Sequence, residues 1–210
     1  MARQVQSGVK WNTPLRQAHR LLTRDRIKDA ARRLFYEMHY DSTTIDEISV
    51  AAGLTRSTLY LHYRDKSEIL ADIIADYTPK AKAVMAKLPG PKPSMKDLDQ
   101  WIRKVERFAA HELVPLSILQ ELRSRNQNPA AVWSVISELL SGLGEANPIF
   151  RESSREDGDP MIRAQGLMLL QDLAFSFEVY MTDKSDARGK ALLKVLAQNF
   201  YAFLSRPENT

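Results

Sequence analysis

Arg56, Ser57, Thr58, Tyr60 and His62 fall within seven residues of a short helical stretch, Arg56 to His62, and are the side chains left exposed on it. An arginine fork matches two acceptors on a guanine edge, while hydroxyls, a phenol and an imidazole can donate to phosphate oxygens. Such a set suits the reading of DNA.

The residues around it supply a frame. Ile45, Ile48, Ala51 and Ala52 recur at helical spacing and can bury one face, Gly53 allows a sharp turn, and Leu54 fills the angle between two helices. Thr43 or Thr44 can cap the first of these helices, and the second begins at Thr55 or Arg56. Asp65 or Lys66 opens a longer helix. Upstream, the spacing predicts a helix capped by Thr23 and running from Arg24 to Met38, burying Ile27, Ala30, Ala31, Leu34 and Phe35 with Arg26, Lys28, Arg32 and Arg33 facing outwards.

Charge follows the same division. Residues 1 to 66 hold 12 Lys/Arg against 7 Asp/Glu, whereas residues 67 to 210 hold 18 against 19. The positive excess therefore lies with the candidate DNA-reading segment. No apolar run approaches the length of a membrane span, the basic N-terminus lacks a signal-like apolar stretch, and cysteine is absent. A cytoplasmic protein without a membrane span, disulfide or thiol chemistry is expected.

The whole chain reads as all-α. The helix after Lys66 meets Pro79, where it is expected to kink or stop, with Lys80 to Leu88 a possible continuation. Pro89 to Pro93 is the clearest break, and Ser94 with Asp97 suggests a capping box for a helix from Met95 to about Leu113. Further helices are expected from Pro115 to Arg125, Pro129 to about Leu143, Pro160 to about Met181 and Asp186 to Leu204, with a polar loop over Asn147 to Asp159. The last two helices are apolar on more than one face, so one face can enter the core and another can meet a partner.

Taken together, Thr23 to Leu70 resembles the N-terminal DNA-binding domain of the TetR family of bacterial transcriptional regulators. The resemblance rests on Thr23 to Phe35, Tyr40, Thr43-Thr44, the Ile45–Ile48–Ala52 face, Gly53-Leu54-Thr55, Thr58-Leu59-Tyr60, His62-Tyr63, Lys66, Glu68 and Leu70. His39 departs from it by standing where glycine commonly ends the first helix, which requires a left-handed histidine.

The resemblance implies three segments: a basic extension over 1–22, a helix-turn-helix domain over 23–66, and a helical ligand-binding and dimerisation domain over 67–210. It implies a homodimer joined through the last two helices, a double-stranded, roughly palindromic DNA operator, and a small-molecule effector that releases a repressor. The DNA-contacting residues it implies are Thr44, Thr55, Arg56, Ser57, Thr58, Tyr60, His62 and Lys66. Arg3, Lys10, Arg16 and Arg20, with no acid before Thr23, point to an arm along the DNA backbone or minor groove.

An effector pocket is expected from Trp101, Phe108, Trp133, Met168 and Phe175, with His111, Gln120, Arg123, Gln165 or Gln171 orienting the ligand. The alternative is a DNA-binding dimer controlled by a protein partner or by no ligand. Enzyme readings find little support: His111-Glu112 has Pro115 where a zinc-protease motif needs its second histidine, and Gly142-Leu143-Gly144 lacks a third glycine. His19, His39, His62 and His111 are scattered, and no metal or cofactor is expected.

Overall fold

The computed structural model describes residues 14–125, 129–155 and 157–206. These residues form α1 (Pro14–Met38), α2 (Ile45–Ala51), α3 (Arg56–Tyr60), α4 (Lys66–Met85), α5 (Met95–His111), α6 (Leu113–Ser124), α7 (Pro129–Ala146), α8 (Pro148–Ser154), α9 (Pro160–Thr182) and α10 (Ala187–Leu204). No strand occurs among the described residues. Two compact units meet at Leu70 and Ala71, a division inside α4.

In the first unit, Ile27, Ala31 and Phe35 of α1, Ile48 of α2, Leu59 of α3, and Tyr63 and Ile69 are buried together in a small core. The capping box of α2 is complete. The Thr44 hydroxyl accepts from the Glu47 amide, and the Glu47 carboxylate accepts from the Thr44 amide at 2.8 Å. At five residues, α3 is too short to persist alone. It is held by fully buried Leu59 and by Thr55, whose hydroxyl accepts from the Thr58 amide.

Two turns of this unit use left-handed backbone. Gly53 has φ 64° and His39 has φ 67°, as the histidine at that place requires. The Thr43 hydroxyl donates to the His39 carbonyl at 2.9 Å and holds the second turn closed. A Cβ at position 53 would approach Nη2 of Arg26 to 3.0 Å. That nitrogen donates to the Ala52 carbonyl at 2.7 Å, so Arg26 staples α1 to the end of α2.

Three local expectations are corrected. Thr23 does not cap α1; it lies inside the helix, which among the described residues runs from Pro14, and its hydroxyl donates to the His19 carbonyl one turn earlier. Lys28 is buried instead of outward, its Nζ 3.2 Å from Asp25. The expected loop after Asn147 contains α8, because Asn147 caps it and Phe150 packs inward, fully buried.

The second unit is built around Trp101, Phe150, Phe200 and Phe203, drawn from α5, α8 and α10. Ring centroids lie 5.0 Å apart for Trp101–Phe200 and Phe150–Phe203. The Trp101 indole donates to the Val84 carbonyl, which satisfies its one polar atom. Ser94 and Asp97 form the expected capping box at the start of α5.

Helix α4 passes through Pro79 without stopping. Pro79 cannot donate to the carbonyl of Ala75, but both residues are exposed, so water can take that place. The neighbouring Thr78 hydroxyl donates to the Ile74 carbonyl at 2.8 Å.

Candidate nucleic-acid interface and ligand cavity

Burial of Leu59 turns the opposite face of α3 outwards. Arg56, Ser57 and Tyr60 are exposed, and Thr58 is half-buried beside them. The Thr55 hydroxyl is 3.0 Å from that of Ser57 and 2.8 Å from that of Thr58, so three hydroxyls cluster at the start of the helix. Thr55 is committed to capping, whereas Ser57 remains at the surface.

Arg56 is held by two groups that the sequence reading did not single out together. Its guanidinium lies 3.0 Å from Oδ2 of Asp46 on α2 and donates to the Tyr60 phenol at 3.3 Å. The phenol contact first, and then the Asp46 carboxylate, hold the guanidinium above its ordinary pKa. The fork is thus fixed at the exposed surface by one residue from each of the two helices.

At Thr44 the amide and hydroxyl both donate to the Glu47 carboxylate, the two donors a phosphate would use. These bonds hold the Glu47 carboxyl below the usual carboxylate range. The threonine-x-x-glutamate spacing at Thr44 to Glu47 was readable as a capping box, and Glu47 is the residue that reading missed.

Lys66 is drawn inward. Its ammonium donates to the carbonyls of Tyr40, Asp41 and Thr43 at 2.8, 2.9 and 3.0 Å and lies over the Tyr40 ring. All three of its hydrogens are used in closing the turn before α2, so in this structure none is left over for the phosphate expected as its partner. A Lys66→Ala variant is therefore expected to lower the melting temperature while leaving the salt dependence of DNA binding unchanged. A fall of about one in the salt slope at unchanged melting temperature would return Lys66 to the phosphate contacts.

His62 lies at the end of α3, half-buried, with Nδ1 buried and lacking a hydrogen-bond partner. Arg24 stacks over Tyr63 at 4.3 Å and donates to the His62 carbonyl. Burial first, and then Arg20 and Arg24, push the imidazole below 6.5. The folded state thus binds this proton less readily than the unfolded chain, and the stability involved is complete above pH 6.5 and lost as pH falls through the lowered value. Melting curves should show a decline below pH 6.5 that is shallower in His62→Gln; identical profiles would remove His62 as its source.

In the second unit a cavity opens between α4, α5, α6, α7 and α9, with about 880 Å³ free of protein atoms when its open mouth is included. Tyr77, Ala81 and Met85 of α4 line it together with Val105 and Phe108 of α5, Leu119 of α6, Val135 and Leu139 of α7, and Leu170, Ala174 and Phe177 of α9. Polar groups are few: the Tyr77 phenol, Glu112, Arg123 and Gln171. Burial, then the Glu112 carboxylate, push the Tyr77 phenol up, so it stays neutral. Lys80 closes on Glu112 at 2.7 Å.

This cavity keeps only part of the expected pocket. Phe108, Arg123 and Gln171 line it. Trp101 is 1% exposed and belongs to the aromatic core, while Trp133, Met168 and Phe175 are 53%, 63% and 52% exposed and face away. His111 is exposed and outside the lining. Gln165 accepts from Arg206, and the side chain of Gln120 lies outside the described residues. Aromatic character placed Phe108 but pointed outward for Trp133 and Phe175; Tyr77, Ala81 and Met85, spaced four residues apart on α4, were not singled out for the pocket.

Among the described residues, no group of His, Asp and Glu is arranged to hold a metal, and no helix is long and apolar enough to cross a membrane.

Residues 27–73 match the family described as bacterial regulatory proteins, tetR family. The regulator AcrR of Shigella flexneri is 45% identical over 51 residues, 24% of each chain. The transcriptional repressor BepR of Brucella suis is 28% identical over 153 residues, covering 70% of this chain and 64% of that protein. The chain thus spans a quarter to just under two thirds of these relatives. The regulator FadR of Bacillus subtilis, solved in complex with stearoyl-CoA, shares the fold with a TM-score of 0.58 at 20% identity, over 83% of this chain and 98% of that one.

Proposed function

Because the chain belongs to the tetR family of bacterial regulatory proteins through its N-terminal domain, we propose that it is a sequence-specific DNA-binding regulator of transcription, a repressor released by a small molecule. The observation that carries this reading is the exposed face of α3, where Arg56, Ser57 and Tyr60 are presented on a helix anchored by buried Leu59. Thr44, Thr58 and His62 flank it as candidate phosphate or base contacts. Residues 23–66 form the DNA-reading domain in this proposal, and 67–210 the ligand and dimerisation domain.

The protein acts as a homodimer on a two-fold operator, with half-sites about 34–36 Å or slightly more apart. Exposed Met161, Met168 and Phe175 support pairing through α9, since a seven-residue spacing places them on one line along the helix. Val195 and Tyr201 add exposed apolar surface on α10. Exposed apolar side chains on these two helices suit a second copy better than water.

The effector binds in the cavity and is mainly apolar, with a small polar end met by Glu112, Arg123, Gln171 or Tyr77. The stearoyl-CoA carried by FadR is consistent with an apolar ligand in this fold. Helix α4 lines the cavity with Tyr77, Ala81 and Met85, and its first residue is Lys66 in the DNA-reading unit. Occupancy changes the set of α4 and weakens operator binding; a coupling of about 1–3 kcal/mol is enough for a switch.

The test is selection of bound fragments from randomised and source-genome DNA, with wild type beside an Arg56→Ala, Tyr60→Ala variant. A two-fold motif recovered by wild type alone is expected. Enrichment of the same DNA by both, or of none, would remove the regulator reading.

A further inference from the structure

The segment before Thr23 enters the described structure as helix. Residues 14–22 extend α1 by more than two turns beyond the start read from sequence. Arg16, Arg20 and Arg24 recur every fourth residue along it, and Ile27, Ala31 and Phe35 continue the same face. The face that is apolar where it rests on the reading unit's core is thus basic where it runs past that core. Leu15, Ala18 and Leu22 lie on the opposite, outward side, and no acidic residue occurs between Pro14 and Arg24.

A second observation places this ridge. Arg24 stacks on Tyr63 and donates to the carbonyl of His62, the residue that follows α3 and Leu61. Arg20 stands close enough to His62 to depress its ionisation. The ridge therefore starts at the end of the recognition helix and continues outward through exposed Arg20 and Arg16, each step about 6 Å along the axis.

We propose that Arg16 and Arg20 form a rigid helical clamp on the DNA phosphate backbone outside the bases that α3 reads. The inference rests on the regulator reading and adds to it a binding surface whose contribution is independent of sequence. Duplex DNA is the partner that fits, because the ridge begins at the residues that follow α3 and carries the charge that displaces condensed counterions. A helix holds its guanidinium groups in fixed spacing, so fewer degrees of freedom are lost on binding than with a loose arm.

The test uses the full chain and the operator recovered above. Binding is measured against salt for wild type, for Arg16→Gln with Arg20→Gln, and for Leu15→Ala with Leu22→Ala on the opposite face. The arginine variant is expected to lose about 0.9 of salt slope for each phosphate released, close to 1.8 per protomer. The preferred motif should be unchanged, and the leucine variant should keep the wild-type slope.

An unchanged slope in the arginine variant overturns the clamp, and so does an equal loss in the leucine variant, which would trace the effect to helix integrity. Arginine-dependent capture on phosphatidylglycerol vesicles with an unchanged DNA slope would assign the ridge to an anionic membrane surface instead. Failure of wild type to select any motif would sink the regulator reading as well, and so stands apart from failure of the clamp alone.

Discussion

An Arg56→Ala variant is expected to bind its selected operator about thirtyfold more weakly or worse. A bidentate arginine–guanine pair discriminates about fivefold or more at each half-site, and a two-fold complex loses both. Binding to unrelated DNA should fall much less, since one phosphate-independent contact is removed. Competition titrations with operator and scrambled duplexes measure the ratio; equal losses on both would show that Arg56 contacts only the backbone.

Asp46 predicts the opposite sign. Its carboxylate occupies the Arg56 fork at 3.0 Å, with both side chains exposed, and adds negative charge beside a surface that must approach phosphates. Asp46→Asn should therefore strengthen binding to all duplexes, most at low salt, where exposed charges are least screened.

The second large effect concerns assembly. Phe175→Glu places a charge on the exposed Met161–Met168–Phe175 line, at its C-terminal end, and because Phe175 is half exposed in the single chain the fold should tolerate it. Dimerisation should fail, and operator affinity should drop about a hundredfold or more as the two reading heads lose their mutual effective concentration. Sedimentation before and after substitution decides the matter. A variant that remains dimeric would place the interface elsewhere.

The reading unit was readable in the sequence because its signals are local. Gly53, the Thr44 and Thr55 caps and the Ile48–Ala52 spacing each act within one or two turns, and the left-handed His39 follows from a single turn position. The extension of α1 upstream of Thr23 was not assigned because Thr23 has the composition of a cap, and the helix-start pattern at Asn12-Thr13-Pro14 lies among basic residues that also read as an arm. Helix α8 was missed for a related reason: a polar stretch conceals one buried phenylalanine, Phe150, and its cap, Asn147.

The cavity was less readable, since which face of a long helix turns inward depends on partners distant in sequence. Helix α9 is apolar almost all round, so composition could not separate inward Leu170 and Phe177 from outward Met168 and Phe175. The role of Lys66 was hidden by distance too: its carbonyl partners lie 23 to 26 residues upstream.

Pro79 stands between Tyr77 and Ala81, two residues that line the cavity, at the one step of α4 where a proline interrupts the amide ladder. Elsewhere along the helix, bending must stretch backbone hydrogen bonds; here one of them is missing from the start. Compliance is thus concentrated beside the cavity wall, and α4 behaves as two stiff rods joined at a soft elbow. A molecule pressing on Tyr77 or Ala81 pushes at that elbow, where a small displacement of side chains produces the largest change in the helix's curvature.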